Sequence, residues 1–99
     1  MTTRITRLLG LGLRAGNVVV GVAGVRAGLQ RGTLACVVLA QDAGQRTIEK
    51  VARLADARKI PVLRGPAADE LGIALGRPPV QAVGVTDTAL GRGLITNSQ

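Results

Sequence analysis

Two carboxylates occupy positions where chemistry is often done. Asp42 follows an apolar run, the place where open α/β folds set catalytic acids, and Asp87 follows Val85-Thr86 in the same way. Proton transfer at either would need a partner group. The chain has no His, and no second acid lies near either Asp in sequence, so only Lys, Arg or the single Cys36 could help. An Asp where a strand gives way to a helix is more simply a helix cap, and both are read so. Cys36 lies inside an apolar run and reads as a small buried hydrophobe. One cysteine excludes an internal disulfide and a multi-thiolate zinc site. Gly10, Gly12 and Gly16 form G-x-G-x-x-x-G, which lacks the dinucleotide spacing, and there is no phosphate-binding G-x-x-x-x-G-K-[ST]. The reading is therefore no enzyme, no catalytic residue, no cofactor and no metal.

Charge is the other chemical asset. Thirteen basic residues against six acidic give +7, and eleven of the cations are Arg, whose planar fork matches phosphates and guanine edges. Arg4, Arg7, Arg14, Arg26 and Arg31 all precede the first acid, Asp42, so the first 41 residues carry +5. A small basic domain usually meets a polyanion, most often nucleic acid. A GC-rich genome, which enriches Arg, Ala, Gly and Val together, is the competing explanation of the same composition.

These residues must be held by regular elements. The first stretch reads as an amphipathic helix capped by Thr2 or Thr3, with Ile5, Leu8, Leu9 and Leu13 inward, Arg4, Arg7 and Arg14 on one outer face, and Gly16 as its stop. Residues 17–20 are β-branched and predict a strand. Gly21 then opens a helix over 22–31, ended by Gly32, that packs through Val22, Val25 and Leu29. Gly24 inside it either weakens the helix or lets a backbone or ligand come close. Residues 34–40 are apolar without alternation, the pattern of a strand covered on both faces. The loop 41–44 leads to a helix over 45–58, buried through Ile48, Val51, Ala52 and Ala55, with Arg46, Lys50 and Arg53 in an outer row and Glu49 able to pair with Arg53. Residues 61–64 start with proline and predict an edge strand. Asp69 and Glu70 open a helix that stops at Gly76; Arg77-Pro78-Pro79 forms a stiff loop. A last strand over 80–86 puts Val83 and Val85 on one face, a helix spans 87–94, and residues 96–99 should fray.

Strict alternation of helix and strand implies one domain over residues 1–99, an α/β fold with a four-stranded, largely parallel or mixed sheet between helical layers. Its core must be aliphatic, because Phe, Tyr and Trp are absent. No apolar run approaches the roughly 18 residues needed to cross a bilayer, and the first residues do not form a secretory signal, so a cytoplasmic protein without membrane contact is expected. Gly21, the loop at 42–45 and the proline loop at 77–81 can cluster along one sheet edge, where helix N-termini bind phosphate. Base stacking on aromatic rings is unavailable, so structured RNA with splayed bases suits this surface better than a sequence-read single strand.

At Leu8-Leu9-Gly10-Leu11 with Arg14-Ala15-Gly16, Val20-Gly21 leading to Val25-Arg26 and Gly32, Ala40-Gln41-Asp42-Ala43, Ile60-Pro61-Val62 and Glu70-Leu71-Gly72 to Leu75-Gly76, the chain resembles a known family. It is similar to the ribosomal protein family of RNA kink-turn binders, which holds the large-subunit proteins seven-Ae and thirty-e, and looks closest to short bacterial members encoded beside translation factors. The resemblance implies a three-layer α/β/α sandwich. It also implies RNA contact by Gly21, Val22, Ala23, Gly24, Arg26 and Ala27, by Gly44 and Gln45, and by Arg77, Pro79, Val80 and Gln81. Charge adds Arg31 as a phosphate contact, and Arg4, Arg7 and Arg14 if their face joins that patch. Typical kink-turn binders carry Asn, Glu and Lys where this chain has Ala23, Gly24 and Ala27, and an acid where it has Gly44; Arg26 sits one residue before the usual Lys. Two roles follow: a non-catalytic protein that binds kink-turn or ribosomal RNA, or an adaptor for ribosomal or translation proteins that has lost specific kink-turn recognition.

Overall fold

The structure, a computed structural model, describes residues 4–97. Along these residues run α1 (Arg4–Arg14), β1 (Val18–Val20), α2 (Val22–Arg31), β2 (Cys36–Leu39) and α3 (Gln45–Arg58). Then follow β3 (Val62–Arg64), α4 (Ala68–Leu75), β4 (Ala82–Val85) and α5 (Thr88–Asn97). The strand order is β1-β4-β2-β3. The central strand β4 is antiparallel to both neighbours, pairing Val20 with Val83 on one side and Leu39 with Ala82 on the other. β3 is parallel to β2 at the edge, as its leading proline implies.

Every residue of β2 and β4 is buried, so both strands are covered on both faces. On one face, Val25 and Leu29 of α2 and Val51 and Ala55 of α3 pack against Val37, Leu39 and Ala82. On the other, Leu9 of α1, Leu71 and Leu75 of α4 and Leu94 of α5 pack against Cys36, Val38, Val83 and Val85. The result is an α/β/α sandwich with a four-stranded mixed sheet. Its core is wholly aliphatic, and each fully buried leucine such as Leu9, Leu29 or Leu71 contributes roughly 1.5–3 kcal/mol by leaving water.

The ends of elements show where local pattern was not enough. α2 and α4 stop at Gly32 and Gly76 in the left-handed conformation, as glycine stops predict, but α3 stops the same way on Lys59, φ 56°. α5 does not end at residue 94: it continues to Asn97, with Leu94 fully buried in the core beneath it. β4 begins only at Ala82, two residues later than the sequence suggests. The proposed caps Thr2 and Thr3 lie outside the described residues. Glu49 accepts a hydrogen bond from Gln45 at 3.1 Å, one turn back rather than one turn on.

Candidate nucleic-acid interface

Antiparallel pairing of β4 with both β1 and β2 has a direct consequence for the loops: β1 and β2 finish at the edge where β4 starts. Three hydrogen bonds gather the chain there. The Gly21 amide donates to the Ala82 carbonyl at 2.9 Å, and the Ala40 amide donates to the Gln81 carbonyl at 2.8 Å. The Gly44 amide donates to the Gln81 side-chain oxygen Oε1 at 3.1 Å. Segments around residues 21, 44 and 81 therefore share one rim.

Two helices begin on that rim, α2 after Gly21 and α3 after Gly44. Neither has a side-chain cap or an acid in its first turn. Their leading N–H groups and the positive ends of their dipoles thus face outward without a counter-charge of their own, the arrangement that favours phosphate. Gly21 sits at φ 100°, ψ 157°, a conformation essentially restricted to glycine, and a Cβ built there meets nothing within 4 Å. Backbone shape, not crowding, demands glycine, and the space above it is open. Along the three segments and the residues next to them the sequence carries Arg26, Arg46 and Arg77 and the carboxylate of Asp42, with Asp69 beside Ala68, the residue Asp42 binds.

Asp42 is itself engaged. Its Oδ1 accepts the Ala68 amide at 2.8 Å, so it caps α4 across the loop rather than α3, which follows it in sequence. Asp87 caps α5, its Oδ2 accepting the Leu90 amide at 2.8 Å. Both carboxylates act as helix caps. Burial pushes the Cys36 thiol up to about 11, which holds it protonated and inert. Among the described residues, no three His, Cys, Asp or Glu side chains gather as a metal site.

The remaining sequence candidates divide by place. Ala23 and Arg26 are exposed on α2, while Val22, Gly24 and Ala27 are half-buried beside them. A Cβ on Gly24 would stand 3.6 Å from that of Val19, an ordinary contact, so packing within the chain does not require glycine there. Gln45, Pro79 and Gln81 are exposed at the rim segments. Val80 is not: at 6% exposure it sits in the core, its amide bonded to the Ala68 carbonyl at 2.9 Å, because the proline loop folds back along α4 and plugs Val80 under it. A surface role for the Val80 side chain is corrected by this burial. Gly72 allows the fold-back, since a Cβ there would lie 2.5 Å from the Pro78 carbonyl oxygen. Arg77 is exposed along the same loop, its amide tied to the Gly72 carbonyl at 2.8 Å.

Arg31 lies at the other end of α2, about 15 Å along the helix from the rim, next to Gln30, whose carbonyl takes a hydrogen bond from Arg58. Arg4, Arg7 and Arg14 are exposed on α1, which packs on the sheet face opposite α2 and α3. Arg46, in the first turn of α3, joins the rim; the sequence places it only in a row with Lys50 and Arg53, and the helix start at Gly44 is the signal that locates it.

A model of the Ribosomal protein L7Ae/L30e/S12e/Gadd45 family matches residues 3–91. Among solved structures, the chain is similar to one described as a protein with unknown function from Bacillus halodurans, with 30% identity, 96% of each chain covered and a TM-score of 0.91. No curated protein matches significantly. No helix among the described residues is long and apolar enough to cross a membrane.

Proposed function

The chain belongs to the Ribosomal protein L7Ae/L30e/S12e/Gadd45 family, and from that premise we propose that it is a non-catalytic RNA-binding protein of the kink-turn-binder type, working in the cytoplasm with ribosomal RNA or the translation apparatus. Family membership itself indicates RNA binding and a ribosome-related role. The finer reading rests on one observation: Gln81 and Ala82 tie the starts of α2 and α3 to a common rim, so two uncapped helix N-termini address one ligand. Phosphates of a sharply bent strand meet the amides after Gly21 and Gly44, with Arg26, Arg46 and Arg77 neutralising neighbouring charges. A splayed base lies against exposed Pro79 and Gln81. Ala23, Gly24 and Ala27 offer no polar side chain to base edges, so recognition works through backbone shape and phosphate position rather than base identity.

Titration of a kink-turn RNA against a straight duplex of equal length, at two salt concentrations, tests this reading. Tighter binding of the bent RNA that persists at the higher salt supports it. Equal, weak binding of both RNAs would reduce the rim to unspecific charge attraction and overturn the proposal.

A further inference from the structure

On the sheet face opposite α2 and α3, a groove of about 400 Å³ runs between α1 and α4. Its two margins carry Leu11 and Ile73, 54% and 80% exposed, the exposed large hydrophobics among the described residues. Scattered surface leucines are ordinary, but here two large aliphatic side chains line one groove. The floor is made of small residues: a Cβ on Gly10 would stand 3.5 Å from the Ala74 carbonyl oxygen, so the helices approach closely beneath the opening.

Charge narrows the occupant. Arg7, Leu11 and Arg14 follow one another at spacings of four and three, so they form a row on one face of α1, about 10 Å long, with the apolar residue in the middle. Ile73 faces that row from α4, and Glu70 holds the α4 margin. We infer that this groove docks an amphipathic helix of a partner protein, an apolar side chain seated between Leu11 and Ile73 and carboxylates one turn to either side meeting Arg7 and Arg14. A second copy of the chain fits poorly, because an isologous contact brings two Arg7–Arg14 rows together on molecules of charge +7. Nucleic acid fits poorly too, since its phosphates would cover the apolar centre without filling it. The site lies across the sheet from α2 and α3 and does not depend on the RNA reading.

The test uses the full chain, labelled with nitrogen-15, and a synthetic helical peptide with a central Leu, Glu four residues before it and Glu three residues after it. A second peptide carries Lys at both Glu positions. The Glu peptide is expected to shift the amides of Gly10, Leu11 and Ile73 while leaving Gly21, Gly44 and Gln81 in place. Leu11→Ser and Ile73→Ser should each weaken it by roughly fivefold or more, as loss of a central interface anchor does. Both side chains are more than half exposed, so these variants should stay folded with at most a small fall in denaturation midpoint, which is measured alongside. Combined Arg7→Glu and Arg14→Glu should transfer the preference to the Lys peptide. Equal binding of the two peptides, no binding of the Glu peptide, shifts centred on Gly21 and Gly44, or groove shifts that appear on concentrating the protein alone would each overturn the proposal.

Discussion

The Gln81 side chain holds the Gly44 amide at 3.1 Å across 37 residues of chain, while its own carbonyl takes the Ala40 amide at 2.8 Å. One residue thereby fixes both ends of the loop that starts α3. Gln81→Ala removes only the side-chain bond, which is exposed, so stability should fall by about 0.5 kcal/mol. RNA affinity should fall further than stability does, because the start of α3 is no longer held beside the start of α2. Denaturation and RNA titration on the same variant check this; affinity unchanged from the parent would show that the tether does not shape the rim.

Salt dependence separates the two ends of α2. Arg26→Ala should lower the slope of log affinity against log salt by about 1, the signature of one lost phosphate contact. Arg31→Ala, at the far end of the helix, should leave that slope as it is. Binding isotherms over a salt series give both numbers.

Gly24→Ala tests whether the glycine serves the fold or the ligand. The added methyl meets Val19 at an ordinary distance, so the free protein should gain about 0.5–1 kcal/mol of helix stability. If RNA backbone comes close to this turn of α2, affinity drops in the same variant. A stabilised protein that binds as before would place the RNA elsewhere.

Asp42→Ala and Asp87→Ala should each cost about 1 kcal/mol, the usual value of a lost helix cap, read from urea midpoints. Asp42→Ala should also bind RNA at least as tightly as the parent, since it deletes an acid from the loop that starts α3. Loss of binding would mean that the carboxylate contacts the ligand directly.

The Cys36 thiol, raised from 9.0 to about 11 by burial, binds its proton more tightly in the folded chain than in the unfolded one. Its contribution to stability is therefore complete below about pH 9 and is lost as pH rises through 11. Cys36→Ala should flatten that alkaline decline, and the native thiol should resist thiol reagents at neutral pH until the protein is unfolded. The difference between the parent and Cys36→Ala isolates the thiol from the other groups of the chain.

The layer order was legible because its signals are local. The unbroken apolar stretch around Cys36–Leu39 could only be a strand covered twice, and Gly32 and Gly76 mark helix ends by backbone conformation alone. What sequence could not supply was distant pairing. Nothing near Asp42 says that its carboxylate caps α4 rather than α3, and nothing near Val80 says that the proline loop turns inward. The sequence points to a cluster of three segments, yet not to Gln81 as the residue that joins them, because a side-chain bond spanning 37 residues leaves no periodic trace. Arg46 carries no local signal for the same reason: its place depends on where α3 starts relative to β4.

The strand order also governs when the molecule can assemble during its synthesis. β1 pairs only with β4, which follows all the other strands in the chain. Until that segment leaves the ribosomal tunnel, the first strand has no neighbour and the Gly21 amide has no acceptor at Ala82. The nascent chain can join α2, β2, α3 and β3 into a partial unit, but the edge at Gly21 and Gly44 closes only when β4 arrives, and a chain cut before Ala82 would lack it.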